Sequence, residues 1–201
     1  MFSHILASSS PRRIALLAML NLGFKSVPSS VEEPLPSGEK PEEYAMHLSL
    51  LKAYDVAQNS PQSMIVGADT IVVIDGNILG KPASAEEAFE MLQTLSGRTH
   101  EVITGVTFLK TDTSHTIIDK KTFFVRTRVT FSPLNVHEIH RYIATGSPFD
   151  KAGGYGIQDD TGALFVERID GDYYNVVGFP LNQFYQEMKS FYPELFTVNT
   201  F

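Results

Sequence analysis

The first twenty residues constrain the fold most, because they predict a strand, a polar turn and a helix in direct succession. Phe2 to Ala7 is a short apolar run that is typical of a buried strand. Three serines follow it, with Ser10 as the N-cap of a helix and Pro11 at the first helical position. A strand that leads directly into a helix indicates an α/β fold.

The rest of the chain mixes helices with hairpins. Helix signals occur in four further segments: Pro41 to about Gln58, Ser84 to Leu95, Asn135 through Tyr142, and Pro180 through Met188. Strand composition occurs in four: Phe24 to Pro28, Met64 to Val73, Glu101 to Leu109, and Thr116 to Phe131. Because crossover units alternate with hairpins, we predict a mixed sheet within an α/β fold.

Length and composition narrow the class of protein. A chain of 201 residues suits one large domain or two small lobes, because a domain takes about 150 residues. Hydrophobic residues make up 43% of the chain and charged residues only 19%, which suffices for a sizeable core. This composition excludes a disordered protein.

Charge and cysteine content exclude several kinds of partner and site. The formal net charge of −7 disfavours adhesion to nucleic acid or to an anionic membrane, so an anionic ligand requires a local cluster of cations. The absence of cysteine excludes disulfides, thiolate zinc sites and cysteine nucleophiles. No apolar stretch approaches the roughly 18 residues of a membrane span, and the N-terminus is a poor secretory signal. We expect a cytoplasmic protein with no nucleic-acid or membrane partner.

The turn between the first strand and the first helix has the residues of an anion cradle. Hydroxyl groups come from Ser8 and Ser10, and guanidinium groups come from Arg12 and Arg13. Together with the free N–H groups of a helix N-terminus, they favour phosphate oxygens. An N-cap followed by two solvated arginines explains this segment alone equally well. It is not a P-loop, because the Gly-Lys-Ser/Thr element is missing.

Two further segments combine polar side chains with apolar strands. Asp69 interrupts a strand of Ile and Val, where a carboxylate is costly to bury unless it is paired, hydrogen-bonded or bound to a metal. We therefore expect Asp69 at a strand end that faces a cleft. Lys81 follows in the turn Gly80-Lys81-Pro82, although a lone lysine is more often an ordinary surface residue.

A glycine-rich segment spans residues 150–158. Gly153, Gly154 and Gly156 produce a backbone that a substrate can approach closely. Gln158 at its end offers both a donor and an acceptor for reading the edge of a planar base. The alternative is a purely structural turn.

Six motifs together resemble those of the Maf family of nucleotide pyrophosphatases, in order from the N-terminus to about Met188. They are Leu6-Ala7-Ser8-Ser9-Ser10-Pro11-Arg12-Arg13, Gly67-Ala68-Asp69-Thr70, Gly80-Lys81-Pro82, Thr104-Gly105-Val106, Asp150-Lys151-Ala152-Gly153 to Gln158, and Asn175-Val176-Val177-Gly178. The resemblance implies a Maf or inosine triphosphate pyrophosphatase-like fold: an elongated mixed β-sheet with flanking helices, in two lobes around a cleft. It implies one domain over residues 1–190, usually as a homodimer, and we expect a loosely held C-terminal tail over residues 191–201.

The resemblance also implies a substrate. Family members that act on dTTP and UTP carry the residues seen here at Arg12, Thr70 and Gln158. Members that act on 7-methyl-GTP carry, at the same three positions in order, a bulky aromatic residue, a Gln and a Glu. A neutral amide can pair with the imide edge of thymine or uracil, which agrees with this assignment.

Catalytic and binding roles follow from the same resemblance. Asp69 is similar to the general base or water-positioning carboxylate, and Glu33 matches an acidic position near the metal, so Glu33 and Asp69 are the candidate ligands of Mg²⁺ or Mn²⁺. The candidate phosphate-binding residues are Ser8, Ser10, Arg13, Lys52 and Lys81. Four departures from the family pattern, none at the specificity positions, are Glu32 for Asp, Ser147 for Glu, Gly154 for Ala and Phe179 for Leu.

The sequence thus predicts a metal-dependent enzyme that hydrolyses a nucleoside triphosphate, dTTP or UTP, to the monophosphate and pyrophosphate. Modified pyrimidine nucleotides such as 5-methyl-UTP and pseudo-UTP fit Gln158 equally well, as substrates of a house-cleaning enzyme. The alternative is a regulator of cell division or septum formation that binds nucleotide without hydrolysing it. The intact Asp69 favours the enzyme.

Overall fold

A computed structural model describes residues 2–158 and 161–196 of the chain. The described residues form a sheet of seven strands: β1 (Ser3–Leu6), β2 (Lys25–Ser26), β3 (Ser63–Ile74), β4 (Asn77–Leu79), β5 (Thr99–Thr111), β6 (Ile117–Phe131) and β7 (Val166–Asp170). The helices are α1 (Pro11–Ala18), α2 (Pro41–Ala57), α3 (Ala85–Leu95), α4 (Val136–Ala144), α5 (Tyr173–Val177) and α6 (Leu181–Phe191). No helix in the described ranges combines the length and the apolar character that crossing a bilayer requires.

The sheet is mixed, as predicted. Its strand order is β2-β1-β3-β5-β6-β7, and β4 pairs with β3 outside this path. Strand β1 runs parallel to both β2 and β3, whereas the β3–β4 and β6–β7 pairs are antiparallel. The prediction of an α/β fold with a mixed sheet and flanking helices is confirmed.

Capping side chains lie at the start of three helices, including the predicted N-cap Ser10. Ser10 accepts a hydrogen bond from the backbone N–H of Arg13, and Ser84 accepts one from Glu87. Asn135 and Glu138 form a reciprocal capping box at the start of α4. These side chains satisfy N–H groups that a helix cannot pair internally, so they determine where the helices begin.

The chain divides into two compact units. The first comprises Met1–Asp69, Thr104–Val125 and Gly178–Phe201, and the second comprises Thr70–Ile103 and Arg126–Val177.

The first unit brings α2 close to the sheet through two glycines. A Cβ atom on Gly67 of β3 would lie 2.1 Å from the carbonyl oxygen of Ser49, and one on Gly105 of β5 would lie 2.3 Å from that of Ala45. Because any side chain at either position would collide with the helix backbone, these glycines allow the close approach. A cluster of buried aliphatic residues fills the adjoining core: Ile5, Ala7, Ala53, Val56, Ala57, Ile65 and Leu109.

The C-terminal part of the described chain also packs in the first unit. Phe184 of α6 contacts Phe108 and Phe179, with ring centroids 5.3 and 4.8 Å apart. The predicted tail begins at Phe191, which is the last residue of α6 and is buried. Residues 197–201, the end of that predicted tail, lie outside the described residues.

The second unit has a separate core rich in aromatic residues. Phe131, Tyr142, Tyr155 and Phe165 pack together with aliphatic side chains of α3, α4, β3 and β5. This core holds the glycine-rich segment, because Tyr155 belongs to both.

Candidate active site

A lysine between two carboxylates is the centre of the candidate site in the first unit. The Nζ of Lys52, on α2, lies 2.6 Å from Oδ1 of Asp69, on β3, and 2.8 Å from Oε1 of Glu33. The side chains of Lys52 and Asp69 are 14% and 11% exposed, whereas that of Glu33 is 50% exposed. The structure therefore brings together three residues to which the family resemblance gave expected roles in catalysis, phosphate binding and metal binding.

Close packing of α2 on β3 explains the Lys52–Asp69 contact. Gly67 precedes Asp69 by two residues, so the strand brings both to the same face of the sheet, where α2 lies. Lys52 follows Ser49 by three residues, and positions three apart are neighbours on a helix surface. The glycine contact and the ion pair therefore belong to one helix–strand interface.

Hydrogen bonds hold the residues of the predicted anion cradle together at the start of α1. The hydroxyl of Ser8 accepts a hydrogen bond from the backbone N–H of Ser10 at 3.2 Å and one from Nη1 of Arg13 at 3.5 Å. Nε of Arg13 donates to the carbonyl of Gly178 at 3.0 Å. These contacts orient the guanidinium group.

The electrostatics of the site come from burial and from opposite charges. Burial raises the pKa of the Asp69 carboxyl above its ordinary value, and the charges of Lys52 and Arg13 oppose this rise. Burial likewise lowers the pKa of Arg13, against the attraction of Asp69. An arginine keeps its charge even so, and Asp69 is therefore a carboxylate of raised basicity among cations.

Two residues that the sequence analysis missed hold the loop that carries Glu33. The hydroxyl of Tyr44 donates to the carbonyl of Pro34 at 2.9 Å. Asp55 accepts hydrogen bonds from the Ser29 hydroxyl and the Ser30 backbone N–H, both at 2.7 Å. Both anchors lie on α2, far from residues 29–34 in sequence, and no local pattern indicates such contacts.

The donor set fits a divalent cation that prefers oxygen ligands. Glu33 and Asp69 share the ammonium of Lys52 as a partner, so their carboxylates face one point. Within the described ranges there is no cluster of three or more metal-ligating His, Cys, Asp or Glu side chains. Two carboxylates, completed by water and substrate phosphates, are the ligation that Mg²⁺ commonly takes.

The other predicted site residues are distributed over both units. Arg12 lies in α1 of the first unit and is half-buried. The other three belong to the second unit: Thr70, directly after Asp69, is half-buried, whereas Lys81, after β4, and Gln158, at the end of the glycine-rich segment, are exposed. The roles of these four residues, like those of the candidate residues in the first unit, stay predictions.

Comparison with known proteins identifies the family. The family model described as "Maf-like protein" matches residues 3–191. The chain belongs to the Maf family. The resemblance drawn from the six motifs is thereby confirmed.

Several Maf relatives are similar over nearly their whole length. A protein of Bacillus cytotoxicus named dTTP/UTP pyrophosphatase is 50% identical over 187 residues, which cover 93% of this chain and 94% of the relative. A protein of Bacillus cereus with the same name is 48% identical over the same shares of both chains. Among solved structures, the Staphylococcus aureus Ham1 protein aligns with a TM-score of 0.44 and 15% identity, covering 64% of this chain and 71% of that one.

Proposed function

We propose that this Maf protein is a nucleoside triphosphate pyrophosphatase that hydrolyses dTTP and UTP to the monophosphate and pyrophosphate. The observation that carries the proposal is the buried Asp69 carboxylate, held by Lys52 at 2.6 Å beside Glu33 and Arg13. The names of relatives about half identical to this chain support the choice of substrate.

Asp69 supplies the base in this proposal. A water molecule attacks the α-phosphorus, the bond to the bridging oxygen of the β-phosphate breaks, and pyrophosphate leaves. The carboxylate of Asp69 orients the water and accepts its proton, for which a raised pKa is an advantage. Lys52 keeps enough of Asp69 ionised for this role by favouring the charged form.

Glu33 and Asp69 would hold Mg²⁺ or Mn²⁺. When bound, such a cation neutralises phosphate charge and lowers the pKa of a coordinated water. The partly exposed Glu33 can exchange its contact with Lys52 for a cation, since a pair at half exposure contributes little stability.

Cations and hydroxyls then bind the phosphates. Arg13 presents a fixed guanidinium group beside Ser8, and Ser10 caps the helix whose N-terminus favours anions. Lys52 and Lys81 complete the proposed phosphate contacts. In this proposal, these cations attract a polyanion to a chain whose net charge is −7.

Base selection is assigned to Arg12, Thr70 and Gln158. The amide of Gln158 can donate to a carbonyl of uracil or thymine and accept from its imide N–H. A carboxylate at this position lacks the donor and suits a guanine edge instead. Modified pyrimidines that keep the imide edge belong to the same proposed substrate class.

The family resemblance further supports a homodimer that acts on free nucleotides of the cytoplasm. Light scattering of the purified protein during size-exclusion chromatography measures the oligomeric state directly. A mass near twice the monomer mass of 22.3 kDa is expected, and a monomer contradicts the dimer.

A nucleotide panel tests the function. Pyrophosphate release is measured with dTTP, UTP, 5-methyl-UTP, pseudo-UTP, dGTP and 7-methyl-GTP, each with Mg²⁺, Mn²⁺ or EDTA. We expect metal-dependent turnover of dTTP and UTP above the purine nucleotides. Tight binding of dTTP without turnover, together with a protein partner, would instead favour the regulator of cell division.

A further inference from the structure

A buried hydrogen bond in the second unit joins His100, on β5, to Tyr155 in the glycine-rich segment. Nε2 of His100 lies 2.7 Å from the hydroxyl oxygen of Tyr155. The residues are only 1% and 5% exposed. Phe131 contacts both rings edge-on, with centroids 5.0 and 4.7 Å away. Apolar packing therefore surrounds one polar pair.

This pair is not what stability alone would favour at the centre of an aromatic core. Burying two polar groups costs desolvation, and a single net hydrogen bond contributes only about 1 kcal/mol. Nδ1 of His100 has no hydrogen-bond partner within the described ranges, which adds to the cost. Burial lowers the pKa of His100 to about 4, so at neutral pH the ring is an uncharged partner for Tyr155. The pair thus contributes orientation more than stability.

Tyr155 lies inside the segment that ends at Gln158, and this segment has two backbone anchors. The N–H of Gly153 donates to the carbonyl of Gly80 at 2.9 Å, and the N–H of Gly156 donates to the hydroxyl of Tyr142 at 3.0 Å. Gly80 directly precedes Lys81. One set of contacts therefore connects the proposed base-reading residue with a proposed phosphate-binding residue.

The first anchor, the hydrogen bond from Gly153 to Gly80, lies where the segment packs too closely for any side chain. Its φ of +68° is in the left-handed region, and a Cβ atom there would lie 2.9 Å from Val72 Cγ1. The segment therefore packs tightly at Gly153. The next side chain that can hold the segment in place is Tyr155, through its hydrogen bond with His100. Beyond Tyr155, the segment reaches the exposed Gln158 within three residues.

We propose that His100 is a positioning residue for nucleotide binding: by holding the Tyr155 hydroxyl, it fixes the segment that carries Gln158 together with the turn that carries Lys81. His100 itself touches neither base nor phosphate. The inference rests on the proposed function of Gln158 and Lys81. The anchoring itself rests only on the contacts within the second unit.

Kinetics of dTTP hydrolysis test the functional part. Tyr155→Phe keeps the ring and removes the hydrogen bond to His100. The segment then spends less time in the conformation that binds nucleotide. We expect KM for dTTP to rise about tenfold with kcat within about twofold, because the lost contact contributes equally to ground and transition states. His100→Phe should raise KM for dTTP by the same factor, and the double variant should raise it no further. His100→Gln should recover part of the wild-type KM, because the glutamine amide can reach the Tyr155 hydroxyl.

A matched control removes a neighbouring hydrogen bond of β5. Thr99 and Thr130 share an exposed hydroxyl contact of 2.8 Å one residue away from His100. Thr99→Val should leave KM unchanged. Equal KM values in Tyr155→Phe and wild type, or the same rise in Thr99→Val, overturn the proposal.

Amide hydrogen exchange of the nucleotide-free protein separates this inference from the proposed function. Tyr155→Phe should speed exchange at residues 153–158 at least about tenfold, while Thr99→Val should not. If wild type fails to hydrolyse dTTP, the proposed function fails but the exchange data still decide the anchoring. Unchanged exchange in both Tyr155→Phe and His100→Phe contradicts the anchoring, whatever the activity.

Discussion

The ammonium of Lys52 lies 2.6 Å from the carboxylate of Asp69, in a contact that joins α2 to β3. Burial raises the pKa of Asp69 and Lys52 lowers it, so the lysine controls how much of the carboxylate is ionised. The same lysine contacts Glu33 at 2.8 Å. The Lys52–Asp69 ion pair therefore tunes the basicity of the proposed general base, and the same lysine lies beside the second proposed metal ligand.

Lys52→Met should shift the pH dependence of activity. Without the ammonium, the pKa of Asp69 rises further, so the acid limb of the kcat profile moves to higher pH. The profile of dTTP hydrolysis measures this shift, with Lys25→Met, an exposed lysine of the same unit, as the control. An unshifted acid limb would show that Lys52 does not tune the base.

Gly67→Ala should destabilise the fold by more than about 2 kcal/mol, because the new methyl group would lie 2.1 Å from the Ser49 carbonyl oxygen. Chemical denaturation measures the free energy of unfolding. Gly80→Ala is the control, since a Cβ atom there meets no atom within 4 Å. Equal stability of the two variants contradicts the close approach of α2 to β3.

Local sequence patterns predict the parts of this site whose residues are close together in the chain, and not those whose residues are far apart in the chain. The strand, turn and helix around Ser10 were predictable from local caps, and Asp69 was noticeable as a carboxylate in an apolar strand. The grouping of Glu33 and Lys52 with Asp69 was not, because it depends on helix–strand packing through Gly67. Family resemblance assigned their roles, but no spacing rule did.

Two helices show the limits of local sequence patterns. Helix α5 is five residues long, which is too short for periodicity to indicate. It is held by Asn175, whose amide donates to the Val102 carbonyl at 3.0 Å and to the Thr127 hydroxyl at 3.1 Å. Helix α1 ends at Ala18, and a short turn follows in which Asn21 takes a left-handed conformation at φ 52°.

Gln158→Glu should weaken the use of pyrimidines. The carboxylate lacks the amide donor and adds a negative charge next to the carbonyls of the base, so kcat/KM for dTTP and UTP should fall about tenfold or more. Gln93→Glu, an exposed site on α3, controls for the added charge. An unchanged nucleotide profile would mean that another residue reads the base.

The buried His100 should make the protein sensitive to acid. Its pKa is about 4 in the fold and near 6.5 when unfolded, so the unfolded chain binds the extra proton between these values. Stability therefore falls as pH drops from about 6.5 to 4, by up to about 3 kcal/mol from this group. Unfolding measured against pH should show a smaller loss in His100→Gln. Parallel curves for wild type and variant contradict this contribution.

Product analysis with dTTP tests the central claim most directly. Purified wild-type protein with Mg²⁺ or Mn²⁺ should release dTMP and pyrophosphate in equal amounts. Asp69→Asn should lower kcat by at least about a hundredfold, whereas Asp75→Asn, which removes an exposed ion pair with Arg98, should not. Release of dTDP and phosphate, no products at all, or near-normal turnover by Asp69→Asn would contradict the account.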